Sequence, residues 1–225
     1  YELEHWIFEA STRIEYVDVE QNISGFQRDF TPISIAVGAS HLWNDWLRGG
    51  VQLYRTERAP SAEELFSNGP HFATASFELG NADLREEIAW GGEATLRAEK
   101  DRFGGALTVF FTDYNDFIVQ NFTGEEEDDL PVFAYGQTDA RFWGMELEAD
   151  AVLYEQGRFE LIADIAADFV RATDRGQGRP LPRIPAKSAL IGLEGKTDHV
   201  DGRIEVELVD DQGRVSEFER PTGGY

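Results

Sequence analysis

The sequence predicts an all-β protein in which long antiparallel meander strands form part of a large transmembrane β-barrel. Two observations lead to this fold class. The chain contains about nine long segments in which apolar and polar residues alternate, and the connections between these segments alternate between short and long. Alternation with a period of two is typical of a sheet with two different faces, because successive strand side chains point to opposite sides.

The alternation is clearest in the second half of the chain. From Trp143 to Leu153 the odd-numbered residues are apolar, whereas the even-numbered residues include Glu146, Glu148 and Asp150. After a short turn, the same pattern continues over positions 159–169. We therefore expect one apolar and one acidic face in this part of the sheet.

Nine strands follow from such patterns. Their predicted bounds are 2–19, 31–43, 46–57, 87–99, 104–118, 139–153, 158–171, 184–196 and 202–215. In the segment 106–118 aromatic residues occur at both even and odd positions. The sequence therefore does not decide which side of this strand faces lipid. Most segments reach about a dozen residues, which exceeds the roughly five or six of soluble sheets and the roughly nine to eleven that cross a bilayer at a 45° tilt.

The connections between the predicted strands give the direction of the barrel. Tight connections are predicted near 44–45, 100–103, 157 and 197–201. Long connections are predicted near 20–30, 58–86, 119–138 and 172–183. This alternation is typical of the periplasmic turns and extracellular loops of outer-membrane barrels. Five tryptophans near strand ends are candidates for an aromatic girdle at the headgroup level, namely Trp6, Trp43, Trp46, Trp90 and Trp143.

The composition excludes several classes of protein and site. The 225 residues include no cysteine, so disulfides and thiolate metal sites are excluded. The 43 acidic and 20 basic residues give a net charge of −23, which repels phosphates and argues against a nucleic-acid partner. The sequence shows neither a long apolar run nor a signal peptide. A barrel remains compatible, because its strands present a residue to lipid only at every second position.

Several segments resemble one family. The sequence R-A-P-S-A-E-E-L-F at Arg58–Phe66 and the sequence G-N-A-D-L-R-E-E at Gly80–Glu87 together resemble a paired signature of TonB-dependent outer-membrane receptors. Ala82 and Glu86 stand where that signature usually has prolines. Further similarities lie at Gly144–Glu146, Pro182–Pro185 and Glu219–Tyr225, so that the resemblance covers nearly the whole chain.

This resemblance implies a fold, a location and a function. Residues 1–225 are expected to be a partial receptor barrel that lacks the N-terminal plug and the final strands. The implied location is the bacterial outer membrane, with membrane lipid as one partner and TonB as another, reached through the missing N-terminal region. The implied function is energised import into the periplasm of a scarce solute such as a metal or metal chelate, for example zinc or a ferric siderophore.

The longest predicted loop contains the candidate substrate residues. N-G-P-H-F-A-T at Asn68–Thr74, followed by Phe77 and Glu78, resembles the zinc-uptake branch of the family and relatives of unassigned substrate. The candidate substrate-loop residues are Arg58, Glu64, His71, Glu78 and Asn81. Among them His71, with Glu78 or Glu64, is the candidate metal pair, since imidazole and carboxylate suit zinc. A closed zinc site needs about four ligands, so the alternative is that His71 packs or caps the loop.

Acidic residues elsewhere admit more than one interpretation. The run Glu125–Asp129 lacks the spacing of a defined calcium loop and is expected to be a solvated loop tip. Six acids share one predicted strand face, either to attract cations or only to keep a water-filled lumen polar: Glu146, Glu148, Asp150, Glu160, Asp164 and Asp168. No resident cofactor is expected, and zinc or a ferric chelate would be transported cargo.

An enzyme is not expected, because no G-x-S-x-G elbow, H-E-x-x-H helix or glycine-rich phosphate loop is present. Besides an importer, the sequence is compatible with two further classes of protein. One is a passive porin-like or adhesive barrel, and the second is a soluble β-sandwich binding module. A sandwich would bury its apolar faces with bulky residues, whereas several faces here depend on alanine and glycine.

Overall fold

Antiparallel strands make up most of the protein. The computed structural model describes residues 2–21 and 25–225. About 70% of the chain is strand and 2% is helix. Nearly all strands belong to one large sheet, and two short strands form a separate hairpin. The predicted all-β fold is therefore confirmed.

Among residues 2–21 and 25–225, nine long strands, here called the wall strands, pair in an antiparallel meander. They are β2 (Trp6–Ile14), β5 (Ile33–Asn44), β6 (Leu47–Arg58), β9 (Glu87–Lys100), β10 (Phe103–Glu127), β11 (Leu130–Gln156), β12 (Phe159–Asp174), β14 (Ser188–Lys196) and β15 (Gly202–Val209). Within the described residues β2 and β15 do not pair with each other, so the sheet is open.

Short elements connect or extend the wall strands. They are β1 (Glu2–Leu3), β3 (Val17–Gln21), β4 (Phe26–Phe30), α1 (Ala62–Phe66), β7 (Asn68–His71), β8 (Ser76–Leu79) and β13 (Arg179–Pro180). Over residues 2–21 and 25–225, no helix has the length and hydropathy required to cross a bilayer.

The wall has one apolar and one polar face, as the alternation predicts. On β6, Val51 is 57% exposed and Leu53 is 63% exposed. Comparable exposed apolar residues on the same face are Val37, Leu96, Val109, Met145, Ile191 and Ile204. An apolar surface of this extent is stable when it faces lipid.

The opposite face carries hydrogen bonds and ion pairs. The hydroxyls of Thr95 and Thr108 are 3.0 Å apart across β9 and β10. Arg203 donates to both carboxylate oxygens of Asp164, at 2.6 and 2.8 Å. The six acids that the sequence assigns to one face do share this polar face, because the strand register brings them there.

Aromatic residues mark two levels of the apolar face. At the end of the wall where the turns are tight, called the short-turn end, the exposed aromatics are Trp6, Trp43, Trp46, Phe103, Tyr154 and Phe159. Toward the opposite, long-loop end they are Trp90, Phe111 and Trp143. The expectation that Trp143 lies near a strand end is wrong, because β11 continues to Leu130 beyond it. The sequence did not decide which side of the segment 106–118 faces lipid. Phe111 is 43% exposed on the apolar face, so the side that carries Phe111 is the lipid-facing one.

The first predicted strand, 2–19, is wrong as a single element. The chain turns at Glu4 and His5 after β1 and leaves the wall after Ile14. It then forms β3, which pairs with β4 and not with the wall. The sequence alternation continues through these breaks, because alternation reports two faces and not the identity of the pairing partner.

The predicted long connection 119–138 is also wrong. The strands β10 and β11 extend through it as a hairpin, separated by Asp128 and Asp129 with φ of 53° and 61°. Two residues with positive φ are typical of a tight hairpin turn, and aspartate tolerates this conformation. The acidic run Glu125–Asp129 is exposed at this tip, as the solvated interpretation expects.

The predicted strand start at 184 is early by four residues, since β14 begins at Ser188. Pro182 and Pro185 lie in the segment before it and lack the N–H groups that a ladder needs. The segment instead crosses the end of β12, where Leu181 packs on Ala140 and Ala172.

The tight pairing of β11 with β12 leads to a stability prediction. A Cβ atom at Gly144 would overlap the backbone oxygen of Phe169 and would lie 2.7 Å from Cζ of Phe110. We expect Gly144→Ala to lower the free energy of unfolding of the full-length protein by about 1–3 kcal/mol, because overpacking forces the strands apart. Thermal unfolding in detergent measures this change.

Gly202→Ala is the matched control, because a Cβ there meets no atom within 4 Å. Equal melting temperatures for the two variants would contradict the close approach of β11 and β12.

Candidate functional site

The two segments that resemble the receptor signature fold against each other at the long-loop end. The first forms α1, which begins with a capping box: Ser61 Oγ accepts from Glu64 N at 3.2 Å, and Glu64 Oε2 accepts from Ser61 N at 2.7 Å. The second segment closes on this helix through Gly80 N, which donates to Ser67 O at 2.7 Å, and Asn81 N, which donates to Glu64 O at 2.8 Å. These contacts hold α1 against residues 80–81 in the loop between β6 and β9. The two parts together, residues 61–67 and 80–81, are here called the loop base.

An ion-pair network ties this loop base to the wall. Arg58, the last residue of β6, donates to the two oxygens of Glu64 at 2.8 and 3.1 Å and to Glu87 at 3.2 Å. Glu87 is 8% exposed and also accepts from the backbone N of Ile118 at 3.0 Å. Because a buried carboxylate needs such partners, the network joins β6, β9, β10 and α1.

A small apolar cluster supports the loop base from below. Leu65 of α1 and Leu84 pack with Phe30 and Ile118, and all four are at most 7% exposed. This cluster connects separate parts of the chain, so displacement of the loop would expose it to solvent.

His71 and Glu78 come together at the β7–β8 hairpin. Nδ1 of His71 lies 3.8 Å from Oε1 of Glu78, and 2.9 Å from the hydroxyl of Thr74. The Thr74 hydroxyl also reaches Oε1 of Glu78, at 3.2 Å. His71 is exposed, whereas Glu78 is 5% exposed. An accessible imidazole thus stands beside a buried carboxylate.

Glu78 extends this group onto the β10–β11 hairpin. The hydroxyl of Tyr135 donates to its Oε2 at 3.1 Å. Burial raises the pKa of Glu78, but hydrogen bonds from Gln120 and Tyr135 and the proximity of His71 outweigh burial and lower it overall. Burial and the adjacent carboxylate raise the pKa of Tyr135 to about 12. Glu78 is therefore charged and Tyr135 protonated at neutral pH.

A cavity of about 520 Å³ lies beside this group. Its lining comes from the β10–β11 hairpin, the segment 179–184 and the segment 216–219, and includes Gln120, Tyr135, Arg183 and Phe218. Phe218 contacts Phe122, with ring centroids 4.6 Å apart and ring planes tilted by 57°. Arg183 donates to Gln120 Oε1 at 3.0 Å, and in the described part of the chain no carboxylate lies within 4 Å of its guanidinium.

The predicted site residues separate into two groups. His71 and Glu78 are brought together, and Glu78 bonds Tyr135, which lines the cavity. Arg58 and Asn81 instead fix the loop base, and Glu64 both fixes the loop base and lines the cavity. Over the described ranges, His, Asp and Glu side chains form no cluster of three or more that could hold a metal ion.

The sequence did not identify the residues that complete the site. Tyr135, Gln120 and Phe218 lie in segments predicted as loop or left without assignment, and Arg183 had only its place in P-R-I-P. No local pattern marks them, because they are distant in the sequence. They come together because β10 and β11 extend beyond their predicted ends and because residues 216–219 lie against this extended hairpin.

A family model described as "TonB dependent receptor-like, beta-barrel" matches residues 1–203. Among curated proteins, the chain is similar to "Heme/hemopexin utilization protein C" of Haemophilus influenzae, with 24% identity over 219 residues. That match covers 84% of this chain and 29% of the relative. The chain therefore spans less than a third of that protein.

Solved structures show the same fold. The copper transporter OprC superposes with a TM-score of 0.84 at 19% identity, over 100% of this chain and 36% of that one. The FrpB iron transporter of Neisseria meningitidis superposes with a TM-score of 0.69 at 11% identity, over 100% of this chain and 35% of that one. Each superposition thus covers about a third of a longer barrel protein.

The environment of Glu78 leads to a pH prediction. The pKa of Glu78 is lower in the folded protein than its unfolded-state value of about 4.5. The charged carboxylate therefore stabilises the docked β7–β8 hairpin above about pH 4.5. This stabilisation is lost as the pH falls through the lower folded-state pKa. We expect amide exchange in residues 68–79 of the full-length protein, corrected for intrinsic rates, to accelerate only below about pH 4.5.

Glu78→Gln should show the fast exchange already at pH 7, because the amide has no negative charge for His71 and the hydroxyls of Tyr135 and Thr74 to stabilise, and only one of its two terminal atoms can accept a hydrogen bond. Glu126→Gln, at the exposed hairpin tip, is the matched control. Native protection of residues 68–79 in Glu78→Gln would show that the carboxylate does not hold the hairpin.

Proposed function

Because this chain belongs to the TonB-dependent receptor-like β-barrel family, we propose that its parent protein imports a metal chelate across the outer membrane of a Gram-negative bacterium. Members of this family are outer-membrane transporters and not enzymes. The wall accordingly spans the outer membrane, with the short-turn end at the periplasm and the long-loop end outside.

The relatives support a cargo that contains a metal. The names of those relatives refer to copper transport, iron transport and heme/hemopexin utilisation. We propose the same class of cargo for this protein. In this proposal the loops capture the solute, and TonB, acting through a plug on the parent protein, supplies the energy for its release into the periplasm.

The cavity beside Gln120 and Tyr135 is the observation that carries the choice of a chelate. Its volume of about 520 Å³ suits a small organic molecule and far exceeds the space that a bare ion occupies. Its lining combines aromatic rings, such as Phe218, with two guanidinium groups, Arg179 and Arg183, and four carboxylates, Glu64, Asp174, Glu217 and Glu219. Arg179 lies within 4 Å of Asp174 and Glu217, whereas the guanidinium of Arg183 has no such ion pair in the described part of the chain. The aromatic rings favour a planar or aromatic ligand, and Arg183 favours one that places an anionic group beside it.

The contacts around the cavity support a role for each group in this proposal. Arg183 would bind an anionic oxygen of the chelate, and Phe218 would pack on its apolar part. Gln120 holds Arg183, and together with Tyr135 it also binds Glu78. Occupation of the cavity is thereby linked to the β7–β8 hairpin, where His71 is accessible to the solute.

The second candidate cargo is zinc, favoured by the pair His71 and Glu78 at 3.8 Å. Two side chains supply about half of the ligands that a closed zinc site needs. Further ligands would therefore have to come from the solute, from water or from parts of the parent protein outside this chain.

Uptake by cells that carry full-length variants tests the proposal. We expect Arg183→Gln and Phe218→Ala each to weaken binding of a ferric siderophore or of haem by about tenfold, which corresponds to about 1.4 kcal/mol. Uptake of labelled chelate and of labelled zinc by metal-starved cells, with equal amounts of each variant in the outer membrane, gives the comparison.

Arg158→Gln is the matched control, because this exposed arginine pairs with Asp198 at the short-turn end. Unchanged chelate affinity in Arg183→Gln and Phe218→Ala would refute the cavity as the capture site. Loss of zinc uptake in His71→Ala, with chelate uptake intact, would establish the second candidate instead.

A further inference from the structure

Four arginines lie on the apolar, lipid-facing side of the wall at its long-loop end. Arg141 and Arg171 lie on β11 and β12, each two residues beyond an aromatic residue of the apolar face, Trp143 and Phe169. Arg175 follows β12, and Arg214 reaches the same edge from the segment after β15. These residues, Arg141, Arg171, Arg175 and Arg214, are here called the rim arginines.

The apolar belt is the band of exposed apolar residues between the aromatic residues of the short-turn end and those of the long-loop end. The rim arginines lie immediately beyond this belt. Trp143 and Phe169 contact each other with ring centroids 5.1 Å apart, and Trp143 is 43% exposed. Trp143 pairs in register with Arg171. The guanidinium of Arg141 stacks on Phe111, 4.9 Å from its ring centroid. Because such aromatics mark the boundary between hydrocarbon and headgroups, the rim arginines lie at headgroup level.

Only part of this positive charge is neutralised by the protein. Asp113 accepts from Arg141 at 2.7 and 2.9 Å and lies 3.7 Å from Arg175. Asp139 lies two residues before Arg141 on β11 and therefore on the same face, and its backbone oxygen accepts from Arg175 N at 2.7 Å. In the described structure its carboxylate forms no ion pair within 4.0 Å. Four arginines therefore face two aspartates, in a chain whose net charge is −23.

Arg171 and Arg214 are neighbours that share no carboxylate. Arg214 donates to the backbone oxygen of Ala172 at 2.6 Å and to the hydroxyl of Thr173 at 2.8 Å. Burial and the proximity of Arg171 lower the pKa of Arg214. Within residues 2–21 and 25–225, neither guanidinium has an ion pair with an acid. Two adjacent cations beside a low-dielectric surface are costly unless an anion joins them.

We propose that the rim arginines bind the phosphate of a membrane lipid headgroup in the outer leaflet. The guanidinium fork matches phosphate oxygens, so that one phosphate can bridge Arg171 and Arg214 while the acyl chains pack on the apolar belt below. The continuity of the site with the belt selects a lipid over free phosphate, because burial of the chains adds to the ionic contacts. The inference rests on the outer-membrane location and not on the identity of the transported solute.

The test uses the full-length parent protein in detergent and native mass spectrometry with defined lipids. The probes are bisphosphorylated lipid A, the same glycolipid without phosphates, and inorganic phosphate. We expect lipid A to bind, and the double variant Arg171→Gln/Arg214→Gln to bind it at least about tenfold more weakly, since several charge-assisted hydrogen bonds are lost. The glycolipid without phosphates should bind the two proteins equally weakly.

Arg102→Gln/Arg158→Gln is the matched control at the opposite edge, where both arginines lie near acids. If the rim variant fails to fold, Arg171→Lys/Arg214→Lys keeps the charge and should lose only the bidentate part of the affinity. Equal lipid A binding by the rim variant and the native protein would overturn the inference. So would inorganic phosphate binding as tightly as lipid A. Chelate uptake by the rim variant should be unchanged, which separates this inference from the proposed function.

Discussion

The structure depends on one constraint, which is that a backbone surrounded by lipid must satisfy all of its hydrogen bonds within the protein. The unbroken antiparallel ladder from β2 to β15 meets this requirement along the wall. Once the ladder is fixed, each residue is committed to one face, and charges are confined to the polar face or to the edges. Close packing follows as well, because Gly144 lets β11 approach both Phe169 and Phe110 without a side chain of its own.

Beyond the apolar belt the backbone is no longer surrounded by lipid, so its hydrogen bonds need not all be made within the ladder. The candidate site forms in this part of the chain. The register of β10 against β11 shifts between Tyr114 and Phe117, where Asp116 has a φ of 57°. Above this irregularity the hairpin accepts β8 as a parallel neighbour along β11. Buried carboxylates such as Glu78 and Glu87 are stable there, because hydroxyls, amides and Arg58 can reach them. The loop is thereby held by polar contacts and not by the ladder.

The sequence predicts the wall well, because exposure to lipid enforces a residue-by-residue alternation that is visible locally. It predicts His71 beside Glu78 only through a resemblance, and it does not predict Tyr135 or Arg183. Tyr135 approaches the site because β11 continues past the apolar belt, and Arg183 approaches it because the segment after β13 meets the extended β10 at Gln120. A segment that alternates irregularly, such as 119–138, carries no signal for the continuation of β10 and β11. The break after Ile14 has the same cause, since a change of pairing partner leaves the alternation intact.

The distribution of charge also bears on how an anionic cargo would move. The polar face of the wall carries several acids in register, with Glu146 opposite Asp168 and Asp150 opposite Asp164, and Arg203 pairs with only the last of these. This surface repels a negatively charged chelate, whereas Arg183 at the cavity attracts one. In the proposed import, capture of such a chelate at Arg183 and its passage along the acidic face would therefore be electrostatically opposed steps. A cargo bound at Arg183 would not descend spontaneously, and an external source of energy, as in the proposed import, resolves that opposition.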